Sequence, residues 1–527
     1  MGPAPPSQGR ARPQRHPLPR QAGDMAPGDA QPSVITRPAE QRLQGLTTMT
    51  QIEHWIGGTA VAATGGAYFD DLNPVDDSVY SRVPAGTAED VNRAVENAHQ
   101  AYLQHRDLPA AVREGWIAKA AEIMERDTAK FADVLVDEIG SPIAKAGFET
   151  RFAVSFLRAA IGVPRRIRGE TIPSDTPGRF SMSLRQPVGV VAGITPFNVP
   201  LIKGIKQSAM ALATGNAFVL LPSEAAPMIA DLLAKLWKEA GVPDGLFNVV
   251  YGNGAEIGDV LTGHPKVASI TFTGSSRVGK HIAEIAARNL KKYTLELGGK
   301  SPLVICADAD LDKAVNAALF SIFMYQGQVC MGASRIYVER SIFDQFTKAF
   351  AAATGRANSG DLRDPTTMLG PIISERQRDR VRRHIDDARS KGAAVLAGGE
   401  WSGNSCAATI LSGVTAEMTV FEEETFGPVT SLFPFDTLEE ALELANNTEY
   451  GLSASIFTRD LDKALAFAQR AEAGMVHINA PTLHDEPHVP FGGTKASGFG
   501  REGTEADLEI MTEWKWVTIQ SATEGGH

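Results

Sequence analysis

The segment that begins Val188-Gly-Val-Val-Ala-Gly-Ile194 and ends at Asn289 decides the fold of this chain. A short apolar run that is rich in β-branched residues predicts a buried strand. Strand-like runs of this kind then alternate with longer segments that have helical spacing. The predicted strands are 188–194, 217–221, 246–250 and 269–273, and the predicted helices are 202–214, 226–240, 256–261 and 278–289. Strands that alternate with helices over about a hundred residues predict a doubly wound parallel sheet.

The same alternation extends to both sides of this segment. On the amino-terminal side, apolar residues at helical spacing predict a helix over 88–105, and 112–139 is predicted to be helical as well. Residues 182–191, with alternating apolar side chains, predict a strand that leads into the core. On the other side, a second series of helices and strands is predicted over 311–325, 336–338, 376–391, 438–446 and 475–479. The sequence therefore predicts two α/β units that pack tightly together.

Composition excludes several classes of protein. The chain has 527 residues, of which 43% are hydrophobic and 21% charged, as in a large soluble globular protein; such a length favours about three domains. The net charge of −11 does not favour a nucleic-acid partner. No apolar run approaches the ~18 residues of a membrane span. Cys306, Cys330 and Cys406 are too few and too far apart for a disulfide framework or a zinc site, so we expect no metal and a reducing compartment, the cytoplasm.

The first 48 residues are predicted to form a disordered tail. They contain six arginines, three acidic residues and nine prolines, and they contain no aromatic residue. Such a composition cannot bury a core, and it lacks the apolar run of a secretory signal. A start codon assigned too early, with Met25 or Met49 as the true beginning, would explain the same composition.

A glycine-bearing turn suggests two kinds of nucleotide binding. Gly274-Ser-Ser-Arg-Val-Gly-Lys-His281 has the glycines and the lysine of a P-loop, and it follows a predicted strand. His281, however, stands where a serine or threonine hydroxyl must hold magnesium, so the P-loop interpretation fails. A glycine turn at a helix N-terminus can still receive a dinucleotide pyrophosphate. By itself it could equally be a tight turn with no ligand.

Five further motifs, taken together, carry a family resemblance. They are Thr195-Pro-Phe-Asn-Val-Pro200, Leu295-Glu-Leu-Gly-Gly-Lys-Ser-Pro302, Gln326-Gly-Gln-Val-Cys-Met331, Glu422-Glu-Glu-Thr-Phe-Gly-Pro-Val429 and Pro490-Phe-Gly-Gly-Thr-Lys-Ala-Ser-Gly-Phe-Gly-Arg-Glu502. Each motif alone is a weak pattern. In this order and spacing they resemble the NAD(P)-dependent aldehyde dehydrogenase family, over residues 54–519.

The resemblance implies four residues that act on the substrate. Cys330 matches the nucleophile, whose thiolate attacks an aldehyde and leaves a thioester that water can open. Glu296 matches the base that activates this water, and its apolar neighbours predict a raised pKa. The Asn198 amide and the backbone N–H of Cys330 match the oxyanion donors, a contribution on the order of 3 kcal/mol. Glu502 matches a carboxylate at the far end of a proton relay.

The resemblance also implies NAD as the cofactor. Glu424 resembles the residue that holds the nicotinamide ribose, and Phe426 resembles one that packs beside the nicotinamide ring. Glu224 resembles the carboxylate that accepts the adenosine ribose 2′-hydroxyl. The other cofactor residues that the resemblance implies are Thr195, Pro196, Phe197, Gly274, Ser275, Gly279 and Leu297.

Two positions depart from the family pattern. Leu221 stands where the family usually has a lysine that reaches the adenosine ribose. Gln207 stands where lysine is more frequent, with Lys206 beside it. One residue on a helix is a rotation of about 100°, so we expect that Lys206 cannot simply replace the missing lysine. These departures bear on cofactor affinity and on the proton path.

The substrate is predicted from a loop near the carboxyl terminus. Ile478-Asn-Ala-Pro-Thr-Leu-His-Asp-Glu-Pro-His-Val-Pro-Phe-Gly-Gly493 is similar to benzaldehyde-, salicylaldehyde- and vanillin-type dehydrogenases, which implies an aromatic aldehyde and places Phe197 and Phe491 at the pocket wall. The loop could instead shape a tunnel for aldehydes in general.

Two other functions stay open: a binding protein that has lost catalysis, and an enzyme that passes its acyl group to coenzyme A. The first would be expected to lack Cys330, Glu296 or Asn198, and the second would lack Glu296.

The family architecture implies three parts. Residues 49–168 and 188–295 would form a Rossmann-like NAD-binding domain, 296–495 a catalytic domain, and 169–187 with 508–522 an oligomerisation arm. Trp514, Trp516 and Val517 would leave an apolar surface exposed unless another subunit covers them. We therefore expect a homodimer or homotetramer that acts on a small-molecule aldehyde, with neither a membrane nor a nucleic acid as a partner.

Overall fold

The computed structural model describes Gly2 and residues 50–521. The predicted tail, residues 1–48, lies outside the described residues apart from Gly2, and so does residue 522 of the predicted arm. Two large sheets organise the described part of the chain, and the strands at the centre of each are buried.

An eight-stranded sheet contains the segment that begins at Val188. In spatial order its strands are Gly498–Phe499, Lys292–Glu296, Val267–Thr273, Val190–Thr195, Ala217–Pro222, Phe247–Val249, His54–Ile56 and Thr59–Val61. The strands from Lys292–Glu296 to Phe247–Val249 pair in parallel, whereas the edge strands pair antiparallel. Burial on both faces is expected for a parallel sheet between helices. The predicted doubly wound sheet is confirmed.

Helices connect these strands. Their bounds are Ala88–His105, Ala110–Arg126, Thr128–Ile139, Ile143–Ala160, Val163–Arg166, Pro200–Thr214, Pro227–Glu239, Gly254–Gly263 and Ser276–Arg288. The single helical segment predicted over 112–139 is two helices, because Asp127 leaves helical geometry (φ −101°, ψ 15°) and separates them.

The order of the strands creates a crevice at one end of this sheet. From Val190–Thr195 the chain moves in one direction to Ala217–Pro222 and Phe247–Val249, and it then returns to Val267–Thr273 on the opposite side. The strand order therefore reverses between Val190–Thr195 and Val267–Thr273, which are parallel neighbours. In open α/β sheets, ligands bind at the carboxyl ends of the strands at such a reversal.

A seven-stranded sheet forms the second unit. In spatial order its strands are Ala394–Ala397, Thr409–Ser412, Val429–Phe435, Arg335–Glu339, Pro302–Ile305, Ser453–Phe457 and Met475–Ile478, and only the first of these pairs antiparallel. The accompanying helices are Leu311–Phe323, Phe343–Ala353, Glu375–Ser390, Thr419–Glu422, Leu438–Asn446 and Leu461–Arg470. The predicted second α/β unit is confirmed, so the fold class is α/β with two mainly parallel sheets.

The strand predicted over 182–191 is wrong in its bounds and its place. The structure has a strand Arg179–Pro187 in a separate antiparallel sheet, between Thr512–Gln520 and Glu170–Thr171. A different strand then begins at Val190, after Gly189 with φ 126°. Glycine tolerates this conformation, and it lets the chain turn from one sheet into the other.

Smaller elements complete the described chain. Thr50–Gln51, Val79–Pro84 and Tyr68–Leu72 form one sheet, Trp401–Ser402 pairs with Ser405–Cys406, and the helix Leu508–Met511 precedes the last strand. Among the helices of residues 50–521, none has the length and apolar character needed to cross a bilayer.

Candidate active site

Cys330 follows a turn that departs from regular structure. The helix predicted over 311–325 ends at Phe323, and Tyr325 and Gln326 have positive φ (51° and 45°). Non-glycine residues rarely adopt this conformation, so contacts must hold the turn in place. The Tyr325 hydroxyl donates a hydrogen bond to the carbonyl of Ile139 at 3.0 Å. The direction in which the chain reaches Cys330 is therefore fixed by tertiary contacts.

Asn198 lies against the same turn. It is located between the strand Val190–Thr195 and the helix Pro200–Thr214, and it is almost completely buried. Its Nδ2 donates a hydrogen bond to the carbonyl of Gln328 at 2.9 Å. Gln328 is two residues before Cys330, so the structure brings the predicted oxyanion donor close to the predicted nucleophile.

Glu296 is the last residue of the strand Lys292–Glu296 and is 2% exposed. Burial raises the pKa of its carboxyl well above the usual value, while the charge of Lys203 acts in the opposite direction. Within residues 50–521, its Oε1 atom has no hydrogen-bond partner. A Cβ atom at Gly492 would lie 2.6 Å from this oxygen, so any larger residue there would collide with the carboxylate. A glycine at 492 therefore lets the backbone pass close to a buried carboxyl whose raised pKa lets it accept a proton.

A buried lysine that the sequence analysis missed joins this group. Lys203 donates a hydrogen bond from Nζ to Glu502 Oε2 at 2.6 Å, and Lys206 Nζ lies 3.6 Å from the same oxygen. Burial opposes the charge of Lys203, but the attraction of Glu502 and Glu296 outweighs it and raises the pKa of Lys203. Correspondingly, burial acts to raise the pKa of Glu502, but the two lysines lower it overall. Lys206 thus lies near Glu502 but donates its hydrogen bond to Asp485 at 3.0 Å, and the expectation that it cannot simply replace the lysine missing at position 207 stays a prediction.

Helix geometry explains how Lys203 reaches this place. Lys203 precedes Gln207 by four residues, and residues at this spacing lie on one helix face. In the described chain, neither polar side-chain atom of Gln207 has a hydrogen-bond partner. The sequence did contain a signal for Lys203. The helix Pro200–Thr214 is apolar around most of its circumference, which predicts that it is buried. A lysine in a buried helix needs a partner of opposite charge.

The thiol of Cys330 responds to the same charges. Burial raises its pKa to about 12, Lys203 lowers it, and Glu424 and Glu296 raise it further. Cys330, Glu296 and Lys203 are therefore close enough to perturb one another electrostatically. We call Asn198, Lys203, Glu296, Cys330 and Glu502 the catalytic cluster. Cys306 and Cys406, by contrast, are buried elsewhere in the second unit.

The crevice at the strand reversal carries the predicted cofactor residues. Thr195 ends one of the two strands and Pro196-Phe197 follows it, whereas Gly274-Ser275 follows the other strand. The Ser275 side chain accepts a hydrogen bond from the Val278 N–H and begins the helix Ser276–Arg288. An added Cβ at Gly279 would collide with Leu297, so these two positions govern how closely the helix packs. A helix N-terminus at this edge fits a dinucleotide pyrophosphate.

A second set of residues lines the path towards Cys330. Glu424 Oε1 accepts a hydrogen bond from the Gly299 N–H at 3.0 Å, and burial raises the pKa of Glu424 to about 6. The rings of Phe197 and Phe426 meet edge to face with centroids 5.8 Å apart. A half-buried carboxylate fits a ribose, and two aromatic rings in contact, one of them two residues further along the chain, fit a nicotinamide ring.

The residues predicted to hold the adenosine ribose differ in exposure. Glu224 is exposed, and its Oε1 accepts a hydrogen bond from the Gly254 N–H at 2.7 Å. Leu221 is buried in the strand Ala217–Pro222. His281, the residue that excludes a P-loop, lies on an exposed helix face and pairs with Asp259 at 2.8 Å. We call Leu221 and Glu224 the ribose end.

Phe491, predicted at the pocket wall, is almost completely buried. Its ring lies beneath two ammonium groups, with Lys203 Nζ at 4.9 Å and Lys206 Nζ at 4.6 Å from the centroid. The backbones of Phe491 and Glu502 also exchange two hydrogen bonds. The structure therefore joins Phe491 to the catalytic cluster. Its role as a wall for the aldehyde stays a prediction.

Comparisons with known proteins agree with this geometry. The model of the aldehyde dehydrogenase family matches residues 61–517. A vanillin dehydrogenase of Pseudomonas fluorescens is 42% identical over 90% of this chain and 98% of its own length. A benzaldehyde dehydrogenase of Bacillus subtilis is 38% identical over 89% and 97%. The crystal structure of an NADP-dependent enzyme of E. coli superposes with a TM-score of 0.87 at 37% identity, and covers 90% of this chain and 98% of that one.

These matches extend over nearly all of the described residues, and their fold is the one described above. The predicted resemblance to aldehyde dehydrogenases, and to the enzymes of aromatic aldehydes within them, is confirmed. The chain therefore belongs to the aldehyde dehydrogenase family and is an aldehyde-oxidising oxidoreductase of the NAD(P)-dependent kind.

Proposed function

We propose that this enzyme oxidises an aromatic aldehyde to the carboxylic acid with NAD, through an acyl thioester on Cys330. The observation that carries the mechanism is the catalytic cluster itself. A thiol, a carboxyl whose Oε1 has no hydrogen-bond partner within residues 50–521, and a buried ammonium perturb one another's pKa. Perturbed groups that converge in this way are typical of active sites.

The first step forms the carbon–sulfur bond. Burial keeps the Cys330 thiol protonated at rest, so a base must take its proton before the sulfur attacks the aldehyde carbon. Glu296 is the carboxylate that can take it, and Lys203 stabilises the negative charge that remains. The oxygen of the resulting thiohemiacetal becomes an anion, which the Asn198 amide and the Cys330 N–H stabilise.

The second step needs a hydride acceptor. When bound, NAD would accept the hydride that leaves the carbon as the adduct becomes a thioester. Glu424, Phe426 and Phe197 would hold its ribose and nicotinamide ring for that transfer.

The third step opens the thioester with water. Glu296 takes one proton from a water molecule, the hydroxide adds to the acyl carbon, and the carbon–sulfur bond breaks to give the acid. The Cys330 sulfur recovers a proton. Glu296 returns the water's proton to this sulfur. The surplus proton is the one that Glu296 took from Cys330 in the first step, and it leaves through Lys203 and Glu502, which are joined by a hydrogen bond of 2.6 Å, before the water is activated.

The substrate and cofactor preferences rest on two further observations. The loop 478–493 resembles those of enzymes for aromatic aldehydes, and the Pseudomonas fluorescens relative is named for vanillin. At the ribose end, Glu224 would face the 2′-phosphate of NADP with like charge, and Leu221 has no charge to offset it. Both features favour NAD.

One assay tests the proposal as a whole. Purified enzyme is mixed with benzaldehyde and NAD, with and without coenzyme A, and NADH and benzoate are measured. We expect equal amounts of both products whether or not coenzyme A is present, because Glu296 delivers water to the thioester. NADH formation that requires coenzyme A, or no NADH at all, would contradict the proposal.

We also propose that the chain works as a homodimer or homotetramer in the cytoplasm. On the sheet of Arg179–Pro187 and Thr512–Gln520, Trp514 is 48% and Trp516 70% exposed. An exposed apolar surface on a strand of this kind is normally covered by a partner. A second copy of the chain has the same apolar surface and can cover it. A monomeric mass by light scattering at micromolar protein would contradict the proposed oligomer.

The proposed compartment rests on the cysteines. All three are unpaired, which supports a reducing compartment such as the cytoplasm.

A further inference from the structure

We infer that a buried ion pair, Lys145 with Glu149, positions the two segments that carry the oxyanion donors. Both residues lie on the helix Ile143–Ala160, which contains none of the family motifs named above. The inference rests on the proposed function, because it concerns the backbone at Asn198 and the turn that leads to Cys330.

Lys145 connects these two segments directly. Its Nζ atom donates to the backbone carbonyl of Asn198 at 2.6 Å and lies 4.2 Å from the centroid of the Tyr325 ring. Tyr325 is the residue with positive φ at the start of the turn, and its carbonyl accepts the N–H of Gln328 at 3.0 Å. One ammonium therefore touches the backbone of the Asn198 segment and the side chain that begins the Cys330 turn.

Glu149 fixes the next part of the same path. Its Oε2 accepts from Lys145 at 2.5 Å, and its Oε1 accepts the N–H groups of Leu201 and Ile202 at 2.9 and 3.3 Å. These N–H groups belong to the first turn of the helix Pro200–Thr214, where a carboxylate satisfies free donors and the helix dipole. This helix also carries Lys203, so the pair orients both the oxyanion donor and the buried cation.

Stability alone does not explain the pair. Lys145 is 4% exposed and Glu149 is fully buried. The desolvation cost of two buried charges commonly cancels their attraction, and apolar replacements of similar volume are often as stable. The pair is instead distinguished by where its hydrogen bonds go. Apart from the bond between the two side chains, all of them end on the backbone that surrounds Asn198.

The test uses a variant that removes the pair without leaving one charge alone. Lys145→Met/Glu149→Gln is compared with wild type in single turnover, with enzyme in excess over benzaldehyde at saturating NAD. We expect NADH formation to slow by roughly 10- to 100-fold, less than the ~10²- to 10³-fold loss when an oxyanion donor is removed. NAD affinity and melting temperature should change little. Lys235→Met, which breaks another i,i+4 pair, is the control and should match wild type.

A double-mutant cycle separates positioning from a general loss of structure. If the pair acts through Asn198, adding its removal to Asn198→Ala should slow single turnover by no more than about threefold further. A full additional loss, or wild-type rates in Lys145→Met/Glu149→Gln, would overturn the inference. Lys145→Gln runs in parallel; if neither variant gives folded protein, the pair holds the fold itself and the positioning role is wrong. The wild-type turnover reports separately on the proposed function.

Discussion

Glu296 of the catalytic cluster and Glu224 of the ribose end lie at, or just after, strand ends of the same sheet but differ in burial. Glu296 ends one strand of the sheet with its carboxyl buried, whereas Glu224 follows another strand and is exposed. In the buried cluster, water screens charges poorly, so each charge acts strongly on its neighbours. At the exposed end, water and salt weaken the same forces. Substitutions in the cluster should therefore change rates by orders of magnitude, and those at the ribose end by about tenfold or less.

The largest effect is expected at Cys330. Cys330→Ala removes the atom that bonds to the aldehyde, so oxidation should fall by on the order of 10⁴-fold or more. NAD binding, followed by fluorescence, should remain. The matched controls are Cys306→Ala and Cys406→Ala, whose thiols lie outside the cluster; both variants should keep near-normal turnover. Substantial aldehyde oxidation by Cys330→Ala would show that Cys330 is not the nucleophile.

Glu296→Gln should separate the two halves of the reaction. The thioester should still form, but more slowly than in the wild type, because Glu296 no longer takes the Cys330 proton. It should then persist, because no base remains to activate water. We expect about one NADH per subunit and then a steady rate lower by ~10²- to 10⁴-fold. Mass spectrometry after addition of benzaldehyde and NAD should find the acyl group on Cys330. Steady turnover at the wild-type rate would show that another base exists.

Lys203→Met tests whether the buried ammonium of Lys203 controls the protonation of Cys330 and Glu296. Lys203 lowers the pKa of both Cys330 and Glu296, so its loss should raise both. Because the reactive thiolate and carboxylate then appear only at higher pH, the rise of activity with pH should move upward by roughly one unit. At a fixed pH near 8, iodoacetamide should alkylate Cys330 about tenfold more slowly.

Lys206→Met is the matched control for this measurement. Lys206 Nζ is 3.6 Å from Glu502, against 2.6 Å for Lys203, and bonds to Asp485 at 3.0 Å. We expect alkylation of Cys330 within about twofold of wild type in this variant. If the two lysine variants behave alike, Lys203 has no special relation to the thiol.

The same contrast explains what the sequence could predict. The strands and helices of 188–289 each have their own periodicity, so local patterns suffice. The period of two in 182–191 shows that one face is covered but does not show which sheet covers it, and Arg179–Pro187 joins the outer sheet. Lys203 pairs with Glu502 across 299 residues, and no local pattern contains such a contact. The motif residues were predicted from a family resemblance. That resemblance drew attention to Gln207 but not to Lys203, which lies one helical turn before it.

Substrate preference should be a smaller effect than the loss of a cluster residue. We expect kcat/KM to favour benzaldehyde over acetaldehyde by on the order of tenfold or more, because an apolar pocket gains ~25 cal/mol for each Å² removed from water. A panel of aromatic, aliphatic and charged aldehydes at saturating NAD measures this. A preference for short or charged aldehydes would favour the general tunnel that the sequence left open.

The cofactor preference is the smallest effect, and it tests the ribose end directly. Glu224 keeps one carboxylate oxygen free of the Gly254 bond, and this oxygen can accept the 2′-hydroxyl of NAD. The same carboxylate would repel the 2′-phosphate of NADP, although exposure to water limits the repulsion. We expect kcat/KM to favour NAD by at least tenfold, about 1.4 kcal/mol.

Leu221→Lys tests whether the missing lysine contributes to the preference for NAD over NADP. A lysine stem can follow the buried position of Leu221 while its ammonium reaches towards the ribose. Both cofactors should then bind more tightly, NADP by the larger factor, so the preference for NAD should shrink about three- to tenfold. Leu221→Met, similar in size but uncharged, should leave the ratio unchanged. Equal kcat/KM for NAD and NADP in the wild type would show that the adenosine ribose does not contact Glu224, and the ribose end would lose its role.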